Sequence, residues 1–266
     1  MKISKDKKLC EEYIGKHPVI SISLKGINAA SYEAAFELTV KTIKGAVEKA
    51  GFLKMSDKLD EDEKKEYRAI LDENMSEATL FWSLKNLSEL LEKHYETKVI
   101  LLIDEYDVPL AKAFENGYYD KMVFLIRNLL EQTLKTNNSL KFAVMTGCMR
   151  ISKESIFTGL NNLKVLSITD ERFDEYFGFT DEDVKEMLRY YDREDHDEEM
   201  RNWYDGYRFG STDVYCPWDV LNHCDKIKEN AAAFPENYWV HTSSNEAVKK
   251  IIQMSGNITT KREIER

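Results

Sequence analysis

The segment Val99-Ile100-Leu101-Leu102-Ile103-Asp104-Glu105 constrains the fold more than any other part of the chain. Five consecutive apolar residues without alternation are what a strand buried on both faces of a parallel sheet requires, since a solvated face would place polar side chains at every second position. The run ends in two adjacent carboxylates, with Asp107 and Pro109 just beyond. A second buried-type strand, Leu140 to Thr146, stops at Gly147, and a shorter one, Lys164 to Ile168, follows Gly159. Between the first two lies a helical pattern from about Asp120 to Lys135, carried by Met122, Leu125, Ile126, Leu129, Leu130 and Leu134. Strand, helix and strand with turn residues between them predict an α/β domain whose parallel strands are joined by right-handed crossovers.

The flanking segments extend this pattern. Ser4 reads as the N-cap of a first helix through Leu9, Tyr13 and Ile14, which stops at Gly15, and Val19 to Leu24 reads as a strand. Ser31 caps a long helix through Ala34, Ala35, Leu38, Ile43 and Val47, with Gly51 as its C-terminal glycine. Ser56 to Arg68 reads as a solvated loop and helix. From Ser76 onward, Leu80, Leu84, Leu87 and Leu91 form one helical face, which is either a core stripe or a zipper seam. After Thr169 the pattern changes to short capped helices, starting at Thr169 or Asp170, at Thr180 and at Pro217. A boundary is therefore expected near residue 170, dividing an α/β core over 1–170 from a mainly helical subdomain over 171–266. The acidic run Asp192 to Glu199 reads as solvated surface.

Composition narrows the function classes. The 266 residues hold 38 Lys and Arg against 48 Asp and Glu, a net charge of −10, so no general field draws the chain to nucleic acid. No apolar run approaches the roughly 18 residues of a spanning helix, and Met1 to Lys5 lacks a signal core, which predicts a cytoplasmic chain. Cys10, Cys148, Cys216 and Cys224 form no CxxC pair and read as reduced structural thiols. His17, His94, His196, His223 and His241 form no ligand-spaced pair, so no protein metal site is expected beyond Mg²⁺.

The chemistry is expected at the tip of the first buried strand, because ligands of open α/β sheets bind outside the carboxyl ends of the strands. In nucleoside triphosphatases such a strand is the Walker B element, whose first acid holds Mg²⁺ through water and whose second orients the attacking water. Asp104 and Glu105 stand in those positions, although an acid pair also closes strands without such a role. Thr146, at the tip of the next strand, could hold the water that Glu105 polarises, or could bond only to its own backbone. Arg150, Lys153 and Arg172 are candidate transition-state charges or plain surface residues. The phosphate-loop pattern G-x-x-x-x-G-K-[ST] is not met: at the single Gly-Lys pair, Gly15-Lys16, Cys10 replaces the first glycine and His17 the hydroxyl residue.

Two other readings compete. Asp104, Glu105 and Asp107 could form a two-metal nuclease site, which would need a Glu-x-Lys on a neighbouring strand that no candidate strand carries. The aromatic segment Trp203 to Gly210, with Tyr215 to Trp218, reads either as a base-stacking surface or as a glycine-kinked hairpin packed on the helical subdomain.

The strings Leu101 to Leu110, Lys141 to Asn162 and Trp203 to Gly210 resemble the bacterial AAA-ATPase-like family, with likeness from about Ile3 to Ser244. The resemblance implies a P-loop NTPase fold of the additional-strand class that binds and hydrolyses ATP with Mg²⁺. Asp104 would be its Mg²⁺ acid, Glu105 its water-activating residue and Thr146 its polar partner. Members carry a Walker A loop upstream and commonly a PD-(D/E)XK-type nuclease domain behind. By this comparison the chain begins after the first and ends before the second. Its partner would then be a nuclease domain or a separately encoded N-terminal Walker A segment. The first strand would be absent from between Leu140–Thr146 and Lys164–Ile168, leaving unpaired edges or a rearranged sheet. The alternative is a catalytically inactive fragment or a protein-interaction module.

Overall fold

Side-chain caps set where the helices begin. Ser31 Oγ accepts the Ala34 amide at 3.3 Å and opens α2 (Tyr32–Glu48), and Ser76 Oγ accepts the Thr79 amide at 3.1 Å and opens α4 (Glu77–Tyr95). Each satisfies a donor that the first helical turn would otherwise leave without a partner. The computed structural model describes residues 2–72, 74–148, 160 and 163–239, and the chain divides into two compact units, Met1–Leu163 and Lys164–Arg266.

The first unit contains α1 (Lys7–Tyr13), β1 (Val19–Ser23), α2, α3 (Glu61–Ile70), α4, β2 (Val99–Asp104), α5 (Val108–Asn116), α6 (Tyr119–Leu134) and β3 (Leu140–Met145). The strands form a parallel sheet in the order β1-β2-β3. Ile20 and Ile22 lie opposite Leu101 and Ile103, which lie opposite Ala143 and Met145, so these side chains share one face. That face joins a core with Ile43 and Val47 of α2, Leu80, Leu84, Leu87 and Leu91 of α4, and Leu125, Ile126 and Leu129 of α6. The leucine row of α4 is a core stripe.

The other sheet face departs from expectation. Leu102, Phe142 and Val144 were expected to be buried on a two-sided sheet, yet they are two-fifths to nearly one-half exposed. Among the described residues the helices cover chiefly the Leu101 face, and β3, like β1, is an edge strand, so its far side has no ladder partner. Tyr13 of α1 sets its ring against Phe142 at 6.3 Å.

Two expected starts and ends also move. Asp6, not Ser4, caps α1 by accepting the Leu9 amide at 3.0 Å. Gly51 opens a 3₁₀ turn, Gly51–Met55, with no left-handed φ, because α2 has already ended at Glu48.

The second unit holds α7 (Asp181–Tyr190), α8 (Asp197–Tyr204), β4 (Asp205–Phe209), β5 (Thr212–Tyr215) and α9 (Pro217–Glu229). Thr180 and Asp183 exchange side-chain-to-backbone bonds in a capping box at the start of α7. Residues 164–168 form no strand, and no helix starts at Thr169 or Asp170. Instead, the Ser167 amide donates to Asp170 Oδ2 at 2.6 Å, and the Ile168 carbonyl accepts the Gly210 amide at 2.8 Å, which commits the segment to a turn against the hairpin. The aromatic segment forms that antiparallel β4–β5 hairpin, turned at Gly210 with φ +52°. Tyr204 and Tyr215 enter a core with Val184, Leu188, Met200, Val220, Cys224 and Ile227, while Trp203, Tyr207 and Trp218 stay half exposed. Among the described residues no helix is long and apolar enough to cross a membrane.

Candidate functional site

The parallel register of β2 and β3 decides what meets at their carboxyl ends. Ile103 lies opposite Met145, so the next residues, Asp104 and Thr146, emerge side by side. The Thr146 hydroxyl donates to Asp104 Oδ1. Backbone bonds hold the pair: the Thr146 amide donates to the Ile103 carbonyl at 2.9 Å, and the Tyr106 amide donates to the Thr146 carbonyl at 3.1 Å. On the other side, the Leu24 amide donates to the Asp104 carbonyl at 2.9 Å. Both side chains face solvent.

Glu105 turns the chain out of the strand with a left-handed φ of +54°. For a residue other than glycine this costs on the order of 1 kcal/mol and is held by its surroundings. Lys25 Nζ lies 3.7 Å from Glu105 Oε1, an exposed pair of small energetic weight. Among the described residues, Glu105 Oε2 is buried without a hydrogen-bond partner. Asp107, almost wholly buried, accepts the Cys148 amide through Oδ2 at 3.1 Å. This bond ties the loop after β2 to the loop after β3.

Asp107 and Gly147 as fixtures of this loop pair escaped the sequence reading. A Cβ on Gly147 would come within 2.7 Å of Asp107 Oδ1 and 2.9 Å of the Tyr106 ring. The available signal was a glycine directly after a buried-type strand, which marks a close backbone approach. Arg150 and Lys153 lie outside the described residues. Arg172 belongs to the second unit, where its guanidinium lies 4.8 Å from the Phe173 ring centroid.

The site is electronegative. Burial pushes the Cys148 thiol up from its ordinary value, the carboxylates of Asp107, Glu105 and Asp104 push it further, and Lys25 offsets part of the effect. A raised thiol holds less thiolate near neutral pH, so Cys148 should alkylate more slowly than a cysteine in an unstructured peptide. Asp107→Asn should speed that alkylation, since removing one negative charge lowers the thiol pKa. Mass spectrometry of the Cys148 peptide after timed iodoacetamide treatment checks this, and an unchanged rate would contradict the electrostatic reading.

A family model described as predicted AAA-ATPase matches residues 2–157, more than half of the chain. The chain belongs to this AAA-ATPase-like family. The site just described falls inside the matched segment. The AAA-ATPase-like chain is also 33% identical over 137 residues to an uncharacterized protein in the vnfD 5' region of Azotobacter chroococcum mcd 1, a match covering 47% of this chain. It spans about a quarter of that protein's length, 24%. No solved structure matches it.

Proposed function

We propose that this AAA-ATPase-like chain contributes the Mg²⁺-binding and water-activating half of an ATP-hydrolysing site on a P-loop-type sheet. The observation that carries the reading is the hydrogen-bonded pair Asp104 and Thr146 at the carboxyl ends of adjacent parallel strands. A carboxylate and a hydroxyl are hard oxygen donors suited to Mg²⁺, and the ion would supply charge neutralisation for a nucleotide's phosphates. Asp104 would hold it through water. Glu105, with one buried carboxylate oxygen left without a hydrogen-bond partner among the described residues, would orient the attacking water, and Thr146 would fix the Asp104 rotamer. The negative potential at Cys148 supports a site that takes up a cation.

The phosphate loop is proposed to come from a further segment pairing along β3. Its support is the outer position of β3 and the half-exposed apolar side chains of Phe142 and Val144 on that strand. Such an edge invites another strand.

Thermal unfolding tests the metal-dependent part. Mg²⁺ with a slowly hydrolysed ATP analogue should raise the unfolding temperature, since ligand at 100 times its Kd adds about 2.7 kcal/mol. Thr146→Val, which keeps the shape and removes the donor, should reduce this rise without abolishing it. An equal rise with and without Mg²⁺ would reject the role given to Asp104 and Thr146.

A further inference from the structure

The acidic run that reads as solvated surface contains an exception. Glu199, near the start of α8, turns one carboxylate oxygen towards two imidazoles. His196 Nδ1 and His223 Nε2 both lie 2.9 Å from Glu199 Oε1. His196 closes the 3₁₀ turn Glu194–His196, and His223 sits in the middle of α9, so three elements converge on this point. Sequence reasoning found no ligand-spaced histidine pair because these two stand 27 residues apart (223 − 196) and meet only when α9 packs on α8. The local signal was His196-x-x-Glu199, which places both side chains on one face of a helical turn.

We infer that His196, Glu199 and His223 form a binding site for a divalent transition ion of the zinc class. One potential ligand atom from each residue lies within 4.8 Å of the others. Bond lengths of about 2.0–2.2 Å place tetrahedral ligand atoms roughly 3.3–3.6 Å apart, so small side-chain rotations close the set. Two histidines and one carboxylate leave a fourth position open, as zinc sites that bind water or substrate do. His196 is 8% exposed and His223 is 0% exposed, whereas the Glu199 side chain is one-third exposed and gives an ion a route in.

The second observation is the state of the far nitrogens. His196 Nε2 and His223 Nδ1 are buried without a hydrogen-bond partner among the described residues. These two ring nitrogens are buried polar atoms with nothing among the described residues to bond, which is costly for a folded chain. Coordination through the near nitrogens moves the ring protons to the far ones. The Asp195 carboxylate lies 3.9 Å from His196 Nε2, an ion-pair distance rather than a hydrogen bond. The Tyr204 ring lies 5.5 Å from that of His223, and Tyr204, Val220 and Cys224 belong to the hydrophobic core of the same unit.

The test uses the full chain, stripped with a chelator and titrated calorimetrically with Zn²⁺, with Co²⁺ as a spectroscopic probe. The expected result is one ion bound per chain, and a Co²⁺ absorption spectrum of nitrogen and oxygen ligands without thiolate charge transfer. Glu199→Gln and His196→Asn should each weaken binding by about tenfold or more at unchanged circular dichroism. Glu199→Gln keeps the size and the acceptor oxygen at a partly exposed position, so it decides the matter alone if the histidine variant fails to fold. Absence of binding, a thiolate spectrum, or affinity unchanged in Glu199→Gln would overturn the assignment.

Discussion

Leu101→Ala is expected to lower the unfolding free energy by about 2–5 kcal/mol, the range for emptying a leucine site in a well-packed core. Leu101 is 0% exposed at the centre of β2, with Ile20 on one side and Ala143 on the other. Its neighbour Leu102 points to the opposite face and is 38% exposed, so Leu102→Ala should cost no more than about 1.5 kcal/mol. The pair reads the asymmetry of the sheet directly, because the two residues share chemistry, strand and sequence environment. Denaturant unfolding of both variants measures it. Equal losses would contradict a sheet whose helices lie chiefly on the Leu101 face.

A pair of glycines gives the second large effect, with opposite signs. Gly147→Ala should destabilise by about 1–3 kcal/mol, because the new methyl group must displace the buried Asp107 carboxylate or the Tyr106 ring. The Asp107 carboxylate is not free to swing away, since it accepts the Cys148 amide. Gly45 lies exposed within α2, with nothing within 4 Å of the position its Cβ would take. Gly45→Ala should therefore stabilise by about 0.5–1 kcal/mol through the lower backbone entropy of the unfolded chain. In the same unfolding experiment, no loss at Gly147 would count against the loop geometry around Asp107, and a loss at Gly45 against its open position on α2.

What could be read from the sequence was mostly local. Ser31, Ser76 and Thr180 announce their helices because capping is a contact over three residues. The leucines of α4 announce their burial because a helix repeats within seven. The tip of β2 was legible for the same reason, with Asp104 and Glu105 adjacent in sequence. What failed depended on partners distant in sequence. An apolar strand reads the same whether one or both of its faces are covered, so the exposure of Phe142 and Val144 could not be seen in β3 itself. Lys164 to Ile168 has strand-like residues, but a bond from Gly210 and a turn closed by Asp170 hold its end. At the candidate site, Asp104, Glu105 and Thr146 could be named from the sequence as candidates, whereas the Asp107 tie to Cys148 spans 41 residues and leaves no local pattern.

Calorimetric titration decides whether Asp104 serves Mg²⁺-dependent nucleotide binding. The purified chain is titrated with a slowly hydrolysed ATP analogue in Mg²⁺, then again without the ion, and the series is repeated with Asp104→Asn. Binding should need Mg²⁺ and weaken by more than about tenfold in the variant, a loss of at least roughly 1.4 kcal/mol. No binding by a folded chain, or affinity indifferent to both Mg²⁺ and the Asp104 carboxylate, would contradict that role.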